Sequence, residues 1–123
     1  MARILVIDDD VGVRELLRAF LDEAGHQVVE APDGRQGVQL FRDEPADLVI
    51  TDILMPEKDG VEVIMELKER YPEVRILAVS GGGRGLEAEV NLRVAKEFGA
   101  MHVLPKPFTQ QELQEAVTAL LGA

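Results

Sequence analysis

Short apolar runs alternate along this chain with longer stretches in which apolar side chains recur every three or four residues. The runs occupy residues 4–7, 28–29, 48–50, 76–79 and 101–104 and contain no Asp, Glu, Lys or Arg. Uncharged runs this short, rich in Val and Ile, predict strands buried on both faces of a parallel sheet. Between them, Leu16, Leu17, Phe20, Leu21 and Ala24 fall on one helical face, and Gly25 stands where that helix would end. Val38, Leu40 and Phe41 predict a second helix, opening near Asp33. Val61, Ile64, Met65 and Leu67 predict a third, with Asp59 and Glu62 at capping-box spacing. Leu86, Val90, Val94 and Phe98 predict a fourth, closed by Gly99. Leu113, Val117, Leu120 and Leu121 predict a fifth, opened by Thr109 with Glu112 three residues on.

Five βα units with short connections define an α/β domain, a parallel sheet with helices on both faces. We read residues 1–123 as one such domain, without repeat or linker. Length favours five strands in the order 2-1-3-4-5, in which strands 1 and 3 are neighbours at the switch point. Ligands of such folds bind outside the carboxyl ends of the strands.

Composition narrows the chemistry. With 46% apolar residues the chain has enough hydrophobic material for one core. It has no cysteine, which excludes disulfides, cysteine zinc sites and cysteine nucleophiles. A net charge of −10 disfavours direct contact with nucleic acid or anionic membranes. No apolar run approaches the roughly 20 residues of a membrane span, and no signal peptide precedes the first strand, so the cytoplasm is the expected location.

The strand ends carry the reactive groups. Strand 1 ends in Asp8-Asp9-Asp10, strand 3 in Thr51-Asp52 and strand 4 in Ser80 before Gly81-Gly82-Gly83. Pro105-Lys106-Pro107 follows strand 5. The predicted fold gathers these residues at one edge. Crowded carboxylates repel unless a proton or cation relieves them. Mg²⁺ suits a site of one or two direct carboxylates, waters and a phosphate. A hard cation and an ammonium around a carboxylate are what phosphoryl transfer to that carboxylate requires.

The run from Ile4 to Asp10 with Arg14 and Leu17 resembles the opening of receiver domains of two-component response regulators. Asp52-Ile53-Leu54-Met55-Pro56-Glu57-Lys58-Asp59-Gly60 is similar to their phosphoacceptor loop, and Ser80 with Lys106-Pro107 completes the set. The resemblance implies a flavodoxin-like fold and a phosphorylation-switched signalling domain that acts on its own phosphoryl group rather than as an ordinary enzyme. It implies Asp52 as nucleophile, Asp9 as direct Mg²⁺ ligand, Asp8 acting through a metal-bound water, and the Leu54 carbonyl as a further ligand. Lys106 would pair with the phosphoryl oxygens and Ser80 would hydrogen-bond them. The Lys106–Pro107 peptide would be cis. Implied partners are a sensor histidine kinase or phosphotransfer protein, a downstream protein target or an output domain absent from this chain, and, on phosphorylation, a second copy. Two departures concern signal output: Val103 stands where receivers often carry an aromatic ring, and the segment from Ser80 to Gly99 is longer by about one helical turn.

Plainer readings apply elsewhere. Asp10 and Asp59 read as helix caps. Gly81-Gly82-Gly83 lacks the Lys-Ser/Thr of a P-loop and reads as a pliable loop. Arg14 and Arg18 read as a solvated helix face, and His26 and His102 as surface or structural residues. Asp8-Asp9-Asp10-Val11 also satisfies the opening of haloacid-dehalogenase-type phosphatases, with Asp8 as nucleophile and Asp10 as acid, but that leaves Asp52 unexplained. A receiver-like interaction module without phosphorylation is the other rival, and the intact Asp8, Asp9, Asp52 and Lys106 speak against it.

Overall fold

The computed structural model describes residues 2–53, 60–80, 93, 96–97 and 99–122. Five strands, β1 (Arg3–Ile7), β2 (Gln27–Ala31), β3 (Leu48–Asp52), β4 (Ile76–Ser80) and β5 (His102–Pro105), form one parallel sheet in the order β2-β1-β3-β4-β5. Four helices have described bounds: α1 (Val11–Glu23), α2 (Gly34–Asp43), α3 (Gly60–Arg70) and α4 (Gln110–Leu121). The expected strand order is therefore the observed one. Leu86, Val90, Val94 and Phe98, which carry the predicted fourth helix, lie outside the described residues, while Arg93, Lys96 and Glu97 in the same stretch are helical; the predicted fifth helix is α4.

Side chains alternate across a strand, and this sheet divides its core accordingly. Ile4, Val6, Leu48, Ile50, Leu77, Val79 and Leu104 face α1 and α4, where Leu17, Leu21, Leu113 and Val117 cover them. Leu5, Ile7, Val49, Ile76 and Ala78 face α2 and α3, covered by Val38, Phe41, Val63, Ile64 and Leu67. Strands covered on both faces are apolar along their covered stretch, which is why β1 is uninterruptedly hydrophobic from Ile4 to Ile7 and β3 from Leu48 to Ile50.

Local chemistry sets the helix ends. Asp10 caps α1, accepting from the Gly12 and Val13 N–H groups at 2.8 and 3.3 Å. Asp33 caps α2, accepting from the Gln36 N–H. Thr109 and Glu112 form a reciprocal capping box on α4. Gly25 closes α1 with φ +89°, a conformation that costs glycine nothing. The Asp59 cap predicted for α3 lies outside the described residues.

Helical faces depart from the periodic reading at three positions. Leu16 and Met65 are 44% and 45% exposed, and Ala24 is exposed as well. In α1 the buried stripe follows Leu17 and Leu21 at i and i+4, flanked by Val13 and Phe20, so Leu16 stands one step off it. In α3 the stripe is Val63, Ile64 and Leu67, which turns Met65 outward. Met101 precedes β5 and is 49% exposed, so the fifth strand starts one residue later than its apolar run.

Gly37 shows how closely α2 rests on the sheet. A Cβ there would lie 2.4 Å from Ile7 Cδ1 and 2.7 Å from its Cγ1, and Ile7 is fully buried. Gly37→Ala should destabilise the fold by up to about 2 kcal/mol, since overpacking costs about 1–3 kcal/mol and the helix gains about 1. Urea unfolding checks this; a more stable variant would mean that Ile7 yields freely.

Candidate phosphoacceptor site

The register of the sheet assembles the site. Ile7 pairs with Thr51, so the next residues, Asp8 and Asp52, emerge side by side. Asp52 pairs with Val79, and Ser80 pairs with Pro105, directly before Lys106. Residues nearly a hundred apart in sequence thus converge on one edge.

Asp8 is fully buried and Asp52 is 5% exposed, whereas Asp9 is exposed. The Lys106 ammonium lies 3.1 Å from Asp8 Oδ2 and 3.5 Å from Asp52 Oδ2, bridging the two buried carboxylates. The other Asp8 oxygen accepts from the Asp10 N–H at 2.9 Å. One carboxylate oxygen from each of Asp8, Asp9 and Asp52 lies within 4.8 Å of the others. Three hard oxygen donors in this volume fit a small divalent cation, and their mutual repulsion favours binding one. The Lys106–Pro107 peptide is cis.

The structure thus brings together four of the expected site residues: Asp8, Asp9, Asp52 and Lys106. Leu54, Gly81, Gly82 and Gly83 lie outside the described residues. Ser80 is described as the last residue of β4, and its side chain lies outside the description. Asp10 holds the helix cap, which places its carboxylate on α1 rather than in the acidic cluster and removes the acid that a dehalogenase-type reading needs. His26 is structural, its Nδ1 accepting from the Ala2 N–H. His102 is exposed.

Arg14 overturns the reading of a solvated face, and Arg18, its side chain 41% exposed, is tied into the same network. The Arg14 side chain is only 15% exposed; its Nε contacts Glu30 Oε1 at 3.2 Å and its Nη1 donates to the Asp8 carbonyl at 2.6 Å. Arg18 Nε contacts Glu30 Oε2 at 2.5 Å, and its Nη2 donates to the Val28 carbonyl. Sequence reasoning missed this network because Glu30 sits in a different element, and its charge directly after the apolar pair Val28-Val29 was the available signal.

A family model for the response regulator receiver domain matches residues 4–118. The chain belongs to this family: it is a receiver domain of the two-component response regulators. It is 35% identical over 121 residues to the transcriptional regulatory protein CpxR of Klebsiella pneumoniae, covering 98% of this chain and 50% of that protein. It is 40% identical over 120 residues to the response regulator MprA of Mycolicibacterium vanbaalenii, covering 97% of this chain and 50% of that protein. The chain therefore spans half the length of these curated relatives. A receiver domain from Clostridium thermocellum superimposes with a TM-score of 0.90 at 30% identity, covering 99% of this chain and 95% of that one. The chemotaxis protein CheY4 of Vibrio cholerae does so with a TM-score of 0.86 at 27% identity, covering 98% of both chains. Among the described residues no helix is long and apolar enough to cross a membrane.

Proposed function

We propose that residues 1–123 form a single receiver domain that takes a phosphoryl group onto Asp52 from a histidine kinase or phosphotransfer protein in the cytoplasm. The observation that carries this is Asp52 itself: a nearly buried carboxylate at a strand end, with an ammonium at 3.5 Å and two further carboxylates beside it. Asp8, Asp9 and Asp52, with the Leu54 carbonyl, would hold Mg²⁺, which when bound offsets negative charge at the reacting centre. An Asp52 oxygen attacks phosphorus; the new O–P bond forms as the phosphohistidine N–P bond breaks, and the imidazole leaves with the electron pair and takes up a proton. Lys106 stabilises charge on the phosphoryl oxygens. The Ser80 hydroxyl then hydrogen-bonds the phosphoryl group and links it to β4.

The domain acts on its own phosphoryl group and turns over no other substrate. Its output passes to a separate protein target or to an output unit elsewhere in a longer polypeptide, with a phosphorylated dimer as one route. That relatives twice the matched length include a transcriptional regulatory protein supports the second arrangement. The acidic surface speaks against direct contact of this domain with nucleic acid.

Incubation with acetyl phosphate and Mg²⁺, followed by intact mass and peptide mapping, should show one added phosphoryl group on Asp52. No addition would refute the assignment. Asp9→Ala should weaken Mg²⁺ binding about tenfold or more, because one carboxylate ligand is lost. Calorimetric titration measures it, and unchanged affinity would remove Asp9 from the ligand set.

A further inference from the structure

We propose that Arg14 is a positioning residue for the acidic pocket, with Glu30 as its anchor. The proposal rests on the Mg²⁺-binding reading above and adds two residues outside the family's phosphorylation set. Arg14 reaches from α1 to the carbonyl of Asp8 at 2.6 Å, and Glu30 of β2 holds its Nε from the other side. Glu30 is itself fixed by Arg18, whose second nitrogen grips the Val28 carbonyl of the same strand. The Asp8 N–H meanwhile donates to the Ala31 carbonyl of β2. The main chain of Asp8 is therefore held at both its N–H and its carbonyl.

The Asp8 carbonyl and the Asp9 N–H belong to one planar peptide unit. Fixing that carbonyl fixes the plane from which the Asp9 side chain departs. Asp9 is exposed at the pocket mouth, so its carboxylate gains little order from packing and depends on its backbone for its direction. Asp8 in turn places one oxygen against Lys106 and the other against the Asp10 N–H. A tilt of this peptide would misalign two of the three carboxylates at once. Groups that orient metal ligands from behind typically change affinity by about 10–100-fold when removed.

The sign of the effect separates this role from plain electrostatics. Arg14 is a cation near a cation site. If it acted only through its charge, removing it would tighten Mg²⁺ binding. Positioning predicts the opposite. Glu30→Gln should also weaken binding, and because Glu30 acts through Arg14, the double variant should bind no worse than Arg14→Ala alone.

The test is titration of the full chain with MgCl₂ alone, by calorimetry and by amide chemical shifts, alongside thermal unfolding in EDTA. We expect Arg14→Ala to bind about tenfold more weakly. Arg14→Lys keeps the charge but loses the planar fork, and should fall between it and the wild type. The Asp9 and Asp10 amide shifts should move in the metal-free Arg14→Ala protein. Equal or tighter Mg²⁺ binding by Arg14→Ala overturns the proposal, as does strict additivity in the double variant. Should Arg14→Ala fail to fold, Arg14→Lys decides, with wild-type affinity overturning the proposal. A wild type that binds no Mg²⁺ overturns the underlying functional reading instead.

Discussion

Replacing Asp52 with asparagine is expected to abolish phosphate uptake from acetyl phosphate while making the metal-free protein more stable. The amide keeps the shape of the side chain but offers no anionic oxygen to phosphorus, so no aspartyl phosphate can form. The gain in stability follows from the surroundings. Asp52 is 5% exposed and clusters with Asp8 and Asp9. Its charge is repelled by the Asp8 and Asp9 carboxylates and attracted by the Lys106 ammonium at 3.5 Å. Burial adds a desolvation cost that a neutral amide largely avoids. Lys106 retains Asp8 as a closer partner at 3.1 Å, so it is not left unpaired. Loss of the repulsion should outweigh loss of the weaker contact, by about 1 kcal/mol in EDTA. Intact mass reports the first effect and urea unfolding the second. Full labelling of Asp52→Asn would move the phosphoacceptor elsewhere. Lower metal-free stability would mean that attraction to Lys106 dominates the pocket.

The same pocket shows which parts of this molecule its sequence announces. A strand covered on both faces must be apolar, so the first charged residue after such a run marks a strand end; Asp8 and Asp52 stand out for that reason. Local caps are equally legible, because Asp10, Asp33 and Thr109 act within three residues of themselves. Register is different. That Ile7 faces Thr51, and Ser80 faces Pro105, follows from how the whole sheet packs, and no short window encodes it. The resemblance of the Asp52 loop, rather than periodicity, is what singles out Asp52 as the proposed nucleophile. Helical periodicity placed the buried stripes only to within one residue, which is why Leu16 and Met65 were assigned inward and lie outward. Arg14 and Arg18, four apart on a helix, read like any solvated charged pair. Both are tied to Glu30, sixteen and twelve residues away on the edge strand, and only Arg14 is largely buried there.

Lys106→Ala is expected to separate accepting phosphate from responding to it. The ammonium sits against Asp8 and Asp52 and its side chain is 15% exposed, so it supplies a counter-charge to two buried carboxylates. Without metal, its removal takes a counter-charge away from both carboxylates, and breaking a buried pair this way costs about 3–5 kcal/mol. We expect a loss of about 3 kcal/mol in EDTA, much of it recovered in saturating Mg²⁺, because a bound cation stabilises the folded state by mass action and supplies the missing charge. Labelling by acetyl phosphate with Mg²⁺ should persist, since Asp52 and the carboxylates proposed to hold the metal are intact. The response should not. Lys106 follows β5 directly, and β5 pairs with β4 along residues 77–80, so an ammonium drawn to the phosphoryl oxygens couples Asp52 to both strands. In Lys106→Ala that link is gone, and amide shifts of β4 and β5 should change little on phosphorylation. A wild-type pattern of phosphorylation-induced shifts in this variant would remove Lys106 from the switch. A variant that folds as stably as wild type in EDTA would show instead that the two carboxylates do not depend on Lys106 as their counter-charge.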